Sequence, residues 1–216
     1  MSSSVIAPAI LAENADQYKE QVDKITGLVE RVHIDISDGE FAPTLTVGIP
    51  ELWAPEGWMI DIHAMVNDVA DYVPKLIALR PHMIIVHAEA TGDVKTALMQ
   101  IRQAGIMAGL ALLKPTVPRT VEELIKIADH VMIFSGELGR FGGTASLMQL
   151  EKIRLIKAIN PSVEIGWDGG VAVDNAYSLV QGGVNVLNVG GVIQKSSDPR
   201  AIFARLQQEI NKTSVL

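Results

Sequence analysis

Along this chain, short runs of β-branched and apolar residues alternate with longer stretches in which apolar residues return every three or four positions. The short runs are VIAPAI (5–10), RVHIDI (31–36), MIDIHA (59–64), MIIVHA (83–88), MAGLAL (107–112), HVMIFS (130–135), VEIGW (163–167) and VNVLNV (184–189). Near-continuous apolar character at that length predicts strands buried on both faces, as in a parallel sheet. The intervening stretches 15–30, 68–79, 93–105, 120–128, 146–159 and 173–183, with 198–212 after the last strand, have helical period. Several carry Asp or Thr near the start and Gly near the end, where helix caps belong. Only the segment 37–57 is loop-like and rich in Pro and Gly, with room for one short helix.

Repeated strand–helix units without a linker predict an α/β fold in one domain over residues 1–216, built on one parallel sheet covered by helices. Eight such units predict a closed (β/α)₈ barrel, compact beside the usual length of about 250 residues. An open, doubly wound sheet is the alternative, but AILAEN after the first strand lacks the glycine-rich turn that such sheets use.

Composition narrows the function. The 216 residues, 48% hydrophobic and 20% charged, suit a globular protein with a large core. A net charge of −7 without a basic patch argues against nucleic acid or an anionic membrane as partner. There is no cysteine, so a disulfide framework, a thiolate nucleophile and an iron–sulfur site are excluded, and any metal must be held by His and carboxylate. The N-terminal MSSSVIAPAIL lacks the features of a signal peptide and no apolar run approaches a membrane span, so the expected compartment is the cytoplasm.

The second strand is chemically odd. In RVHIDISDGEF, His33 and Asp35 lie two apart and so share a face, which near the C-terminal end of a barrel strand opens into the mouth. His63 occupies the same place on the third strand, and Asp168 ends the seventh. A single His or Asp at a strand end is more often a hydrogen-bonding residue than a ligand. Two buried carboxylates near a barrel axis, however, cost several kcal/mol each, to order of magnitude, without a compensating cation. His33, Asp35, His63 and Asp168 therefore form a candidate site for one divalent metal ion: zinc, iron(II), manganese or cobalt. His87 and Glu89 at the fourth strand's end suit a supporting role. Asp61 shares a face with His63 and is expected to orient a neighbouring ligand. Asp38 reads as a turn residue, and His82 and His130, at strand starts, as residues of the opposite end.

Glycine provides a second signal. RFGGT (140–144), DGG (168–170) and VGG (189–191) follow the sixth, seventh and eighth strands, where barrels commonly cradle phosphate on backbone amides. Arg140 is placed to add charge.

The segments APAILAENADQYKEQ, HIDISDGEFAPTLTVG, DIHAMV, VHAEA, AGLALLKPTVP, RFGGT, WDGGV and NVGGVI resemble, in order and spacing, the ribulose-phosphate 3-epimerase family over nearly the whole chain. The resemblance implies a TIM barrel of the ribulose-phosphate-binding type, a metal-dependent isomerase of the pentose phosphate pathway that interconverts D-ribulose 5-phosphate and D-xylulose 5-phosphate. It implies metal binding by the residues at His33, Asp35, His63 and Asp168, with Asp35 and Asp168 also the catalytic acid–base pair. It further implies phosphate or substrate binding at Met65, Arg140, Phe141, Gly142, Gly143, Gly169, Gly170, Gly190 and Gly191, a small phosphorylated ketose as partner, and a homo-oligomer.

Departures from the family pattern fall around this centre. Ala9 replaces a serine, Ser37 a methionine, Glu40 a histidine, Thr44 an asparagine and Gly191 a serine, while Arg140 and Thr144 are new to the loop after the sixth strand. The metal set is intact and the substrate shell is altered. Alternative expectations are therefore a 3-epimerase of another ketose phosphate, such as D-allulose 6-phosphate, a phosphosugar-binding barrel without turnover, and, more weakly, a metal-dependent aldolase.

Overall fold

The computed structural model describes residues 4–212. Eight parallel strands close on themselves in sequence order, which rules out the open sheet. They are β1 (Val5–Ile10), β2 (Arg31–Ser37), β3 (Met59–Met65), β4 (Met83–His87), β5 (Met107–Leu112), β6 (His130–Phe134), β7 (Glu164–Asp168) and β8 (Val186–Val189). Helices α1 (Ala15–Ile25), α2 (Val69–Ala78), α3 (Val94–Gln103), α4 (Glu122–Ile127), α5 (Glu151–Ile159) and α6 (Val173–Gln181) return the chain between strands. A four-residue helix α7 (Gly191–Gln194), not expected from the sequence, precedes the closing α8 (Pro199–Ile210).

Local chemistry accounts for most helix starts. The side chains of Asn14, Asp68, Asp93 and Asp198 accept hydrogen bonds from backbone N–H groups of the first turns of α1, α2, α3 and α8. Pro74 sits inside α2. α4 and α5 are each shorter than their apolar period suggests, because 3₁₀ turns at Pro118–Val121 and Leu147–Leu150 take up the leading residues.

The main core lies between the strands' outer faces and the helices, where Ile34, Ile62, Ile84, Leu110, Trp167 and Leu187 are buried. Inside the barrel a smaller cluster of Met83, Ile85, Ala111, Met132 and Phe134 fills the middle. The long 38–58 connection is pinned at its start: Asp38 Oδ1 accepts from the N–H groups of Glu40 and Phe41, both at 2.8 Å, and Oδ2 accepts from Asn67 N at 2.5 Å. Asp38 is thus a turn residue, and the one short helix of that segment is Ile49–Glu51. Trp53 stands edge-on to Tyr18 of α1 at 6.1 Å, on the outer flank.

Candidate active site

Strand register builds the site. Asp35 lies opposite His63 across the β2–β3 pair, His33 opposite Ala9, Phe134 opposite Asp168, and Asp168 opposite Asn188. One ligand atom from each of His33, Asp35, His63 and Asp168 lies within 4.8 Å of all the others, a spread that a single ion can bridge. His63 Nδ1 is 2.7 Å from Asp35 Oδ1 and 3.6 Å from Asp168 Oδ2. His33 Nε2 stands 3.3 Å from Asp35 Oδ1 and 3.6 Å from Asp168 Oδ2, yet is aimed well at neither and forms no geometrically sound hydrogen bond. Both imidazoles are fully buried.

The electrostatics call for a cation. Burial disfavours charge on His33, but the carboxylates of Asp168 and Asp35 outweigh it and push its pKa up to about 10. Burial likewise opposes ionisation of Asp35, and its contacts with His33 and His63 still hold the carboxyl well below the usual carboxylate range. The buried carboxylate of Asp35 and the half-buried one of Asp168, converging on nitrogen atoms of which one is without a partner, form a donor set that fits a divalent ion.

Behind His63 lies a second line of contacts. His63 Nε2 is 2.8 Å from His87 Nε2, and His87 Nδ1 is 3.3 Å from Glu89 Oε2. His87 is enclosed by Phe41 and Phe134, at ring distances of 4.6 and 6.0 Å. Burial, only partly opposed by Glu89, lowers its pKa to about 4. The supporting position expected for His87 and Glu89 is where the structure puts them.

Asp61 is a correction. It sits at the other end of the barrel, where Oδ2 accepts from Arg31 Nε at 2.7 Å and Oδ1 pairs with His82 Nδ1 at 2.7 Å. It does share a face with His63, but two residues along a strand are enough to pass from mouth to base. His82 and His130 are at that base, as expected.

Beside the His33, Asp35, His63 and Asp168 cluster opens a cavity of about 170 Å³. Asp35, Met65, Phe134, Asp168 and Asn188 line it together with Ala9 and the glycines at 142, 143, 169, 170, 190 and 191. Gly169 (φ 97°) lets the loops after β6 and β7 meet backbone to backbone, since a Cβ there would run into Gly136. A Cβ on Gly190 would lie 2.5 Å from the Phe141 ring, so Phe141 closes over that glycine. Arg140 is largely exposed at the rim, 4.0 Å from Glu137.

Of the departures, Ala9, Arg140 and Gly191 line this cavity, whereas Ser37, Glu40, Thr44 and Thr144 do not. Ser37 is a brace: its N–H donates to Thr46 Oγ1 at 2.8 Å. Glu40 is exposed, 3.5 Å from Asn67 Nδ2, and Thr44 abuts Gly139. The altered shell is therefore smaller than the sequence implies.

Sequence reasoning missed Asn188, Lys195 and Glu137 among the lining residues. Asn188 is 2% exposed and its Oδ1 has no hydrogen-bond partner. A polar residue in the otherwise apolar run VNVLNV was the available signal.

A closed parallel barrel with a His₂Asp₂ cluster and glycine-rich loops after its last three strands defines the class: a (β/α)₈ barrel with a candidate metal centre at its mouth. The chain belongs to the Ribulose-phosphate 3 epimerase family, whose model matches residues 5–194. It is 30% identical over 211 residues to the ribulose-phosphate 3-epimerase of Aquifex aeolicus (strain VF5), covering 94% of this chain and 95% of the relative. It is 29% identical over 210 residues to the chloroplastic ribulose-5-phosphate-3-epimerase of Arabidopsis thaliana, covering 91% and 74%. In fold it resembles KGPDC from Streptococcus mutans (TM-score 0.73, 13% identity, 97% and 98% covered). It also resembles 3-hexulose-6-phosphate synthase from Salmonella typhimurium (TM-score 0.70, 15% identity, 95% and 97% covered). No helix among the described residues is long and apolar enough to cross a membrane.

Proposed function

We propose that this protein is a metal-dependent 3-epimerase of the pentose phosphate pathway, interconverting D-ribulose 5-phosphate and D-xylulose 5-phosphate through an enediolate. The observation that carries this reading is the meeting of two carboxylates from separate strands, Asp35 and Asp168, with two imidazoles at the edge of a glycine-rimmed cavity.

Inverting a carbon beside a ketone means removing a weakly acidic proton from one face and returning one to the other. A single base does not readily serve both faces, so two acid–base groups are needed. One carboxylate takes the C3 proton, and the other, protonated, delivers to the opposite face; the reverse reaction exchanges their roles. His33, Asp35, His63 and Asp168 hold the divalent ion, zinc, iron(II), manganese or cobalt. When bound there, it supplies Lewis-acid stabilisation for negative charge developing on the substrate's oxygens. Met65 and Phe134 give the intermediate an apolar, water-poor wall. Backbone N–H groups at 142–143, 169–170 and 190–191 cradle the phosphate, with Phe141 shaping the cradle and Arg140 adding charge at the rim.

Proton NMR of D-ribulose 5-phosphate in D₂O with metal-loaded protein tests this. The expected result is D-xylulose 5-phosphate with deuterium at C3. Ala9 and Gly191, both poor in side chain and both lining the cavity, favour a larger ketose phosphate as the second reading. Faster turnover of D-allulose 6-phosphate would select it, and no exchange on either sugar with any of the four metals would overturn the epimerase reading.

A further inference from the structure

Asn188 stands near the end of β8 with a carboxamide that is only half used. Nδ2 donates to the Met132 sulfur at 3.2 Å, and Oδ1 meets no donor. Turning the amide over would set its oxygen against a thioether that has no hydrogen to give, so the acceptor is the atom left free. The side chain is 2% exposed, and a buried acceptor without a partner lowers stability. An apolar residue of similar size, such as the leucine just before it in VNVLNV, carries no such penalty.

Its place in the barrel says what the missing donor is. Asn188 lies opposite Asp168 in the β7–β8 register and two residues before Gly190, and all three line one cavity. The other polar side chains of that lining are the cluster carboxylates Asp35 and Asp168, and Glu137, Arg140 and Lys195 on the exposed rim. Asn188 is thus the one uncharged polar side chain in the cavity's buried wall. Met132, itself fully buried in the barrel's middle, holds its Nδ2 and so steadies the carboxamide.

In the epimerase reading, on which this inference rests, Asp168 works at C3 and the amides at 190–191 hold the phosphate on C5. Between those two points a ketopentose 5-phosphate has one carbon, C4, and one hydroxyl. A hydroxyl supplies the donor that a lone carboxamide oxygen lacks.

We infer that Asn188 is a specificity-determining residue, whose Oδ1 accepts a hydrogen bond from the substrate hydroxyl between the reacting carbon and the phosphate. The bond exists only in the complex, so the free protein carries the unpaired acceptor. A sugar without that hydroxyl leaves the acceptor unpaired after binding as well, which is how a buried polar group rejects a deoxy analogue.

The test is steady-state kinetics of the metal-loaded, full-length protein on D-ribulose 5-phosphate and on its 4-deoxy analogue, with urea unfolding of the same samples. Asn188→Leu removes the acceptor at similar volume, and Asn188→Ala removes it and leaves space. The wild type's preference in kcat/KM for the hydroxyl-bearing sugar should shrink by about ten- to a hundredfold in both variants. Comparing preferences cancels the altered acidity of C3 in the analogue and any loss of folded protein. The urea midpoint of Asn188→Leu should stay level or rise, because an unpaired buried acceptor is gone. A lower midpoint with the preference unchanged would make Asn188 a structural residue and overturn the inference. So would a wild type that does not distinguish the two sugars. A wild type that turns over neither would overturn it together with the epimerase reading.

Discussion

At the mouth of the barrel, His33, His63, Asp35 and Asp168 draw together, and among the described residues no lysine or arginine pairs with either carboxylate there. At the base, His82, His130, Asp61 and Glu164 surround Arg31. Its guanidinium donates to Asp61 Oδ2 at 2.7 Å and, in a two-point pair, to Glu164 Oε1 and Oε2 at 3.0 and 2.9 Å. His82 and His130 complete the set, 2.7 Å from Asp61 and Glu164 respectively. The two clusters have nearly the same inventory of two imidazoles and two carboxylates. One is closed by a permanent cation of the chain, Arg31, and the other has only imidazoles opposite its carboxylates. The base is therefore built for stability, and the mouth for something that arrives later, which is the usual division of labour between the ends of such barrels.

The sharpest way to break that comparison is to remove one carboxylate from each end. Asp168→Asn should lower the epimerisation rate by about a thousandfold or more, because it removes a proton-transferring group. The thermal midpoint of the metal-free variant should change little, since relief of one of two converging negative charges offsets the lost attraction between Asp168 and His33. A rate within tenfold of wild type would dissolve the functional side of the contrast. Arg31→Met should do the reverse. It leaves the buried Asp61 and the half-buried Glu164 without their cation and should cost about 3 kcal/mol in urea unfolding. Its turnover per folded molecule should remain close to wild type. Parallel losses of activity and stability in both variants would mean that the two ends are not separate.

Metal sharpens the contrast further. At a concentration one hundred times its dissociation constant, zinc should stabilise the wild type by about 2.7 kcal/mol in the same urea measurement. The increment should survive in Arg31→Met and shrink in Asp168→Asn. An equal increment in all three proteins would place the bound ion away from the mouth.

The mouth was far more legible in the sequence than the base, and the reason is geometric. Strand ends near Asp35, His63 and Asp168 are marked by the glycines and turns that follow, so a residue's height in the barrel can be inferred. Asp61 had no such marker. Its alternation with His63 gives the face, but its partner Arg31 begins the preceding strand and His82 lies just before the next one. A salt bridge between three strands leaves no spacing in the sequence. Asn188 escaped notice for a related reason, since one amide within an apolar strand is indistinguishable from a tolerated exception until the register sets it beside Asp168. The eight strands were legible because each is short, apolar and bounded. Helix α7 was not, because four residues are too few to show a period.

The smallest effect concerns acid, and its sign separates the two ends once more. Hydrogen bonds from His130 and Arg31 overcome the burial of Glu164 and hold its carboxyl well below the ordinary value of 4.5. A carboxylate depressed in the folded state binds its proton less readily there than in the unfolded chain. Its contribution to stability is therefore complete above about pH 5 and is lost as the pH falls through 4.5 and below. One such group adds a slope of up to about 1.4 kcal/mol per pH unit in that range. Glu164→Gln should flatten the acid limb of the stability curve between about pH 5 and 3 by up to one proton's worth, besides lowering the plateau at neutral pH. Since Glu164 reaches Arg31 and not the His33, Asp35, His63 and Asp168 cluster, the flattening should be the same with and without zinc above the pH at which any ion bound at the mouth is released. A slope change that appears only in the metal-loaded protein would show that base and mouth share one electrostatic network.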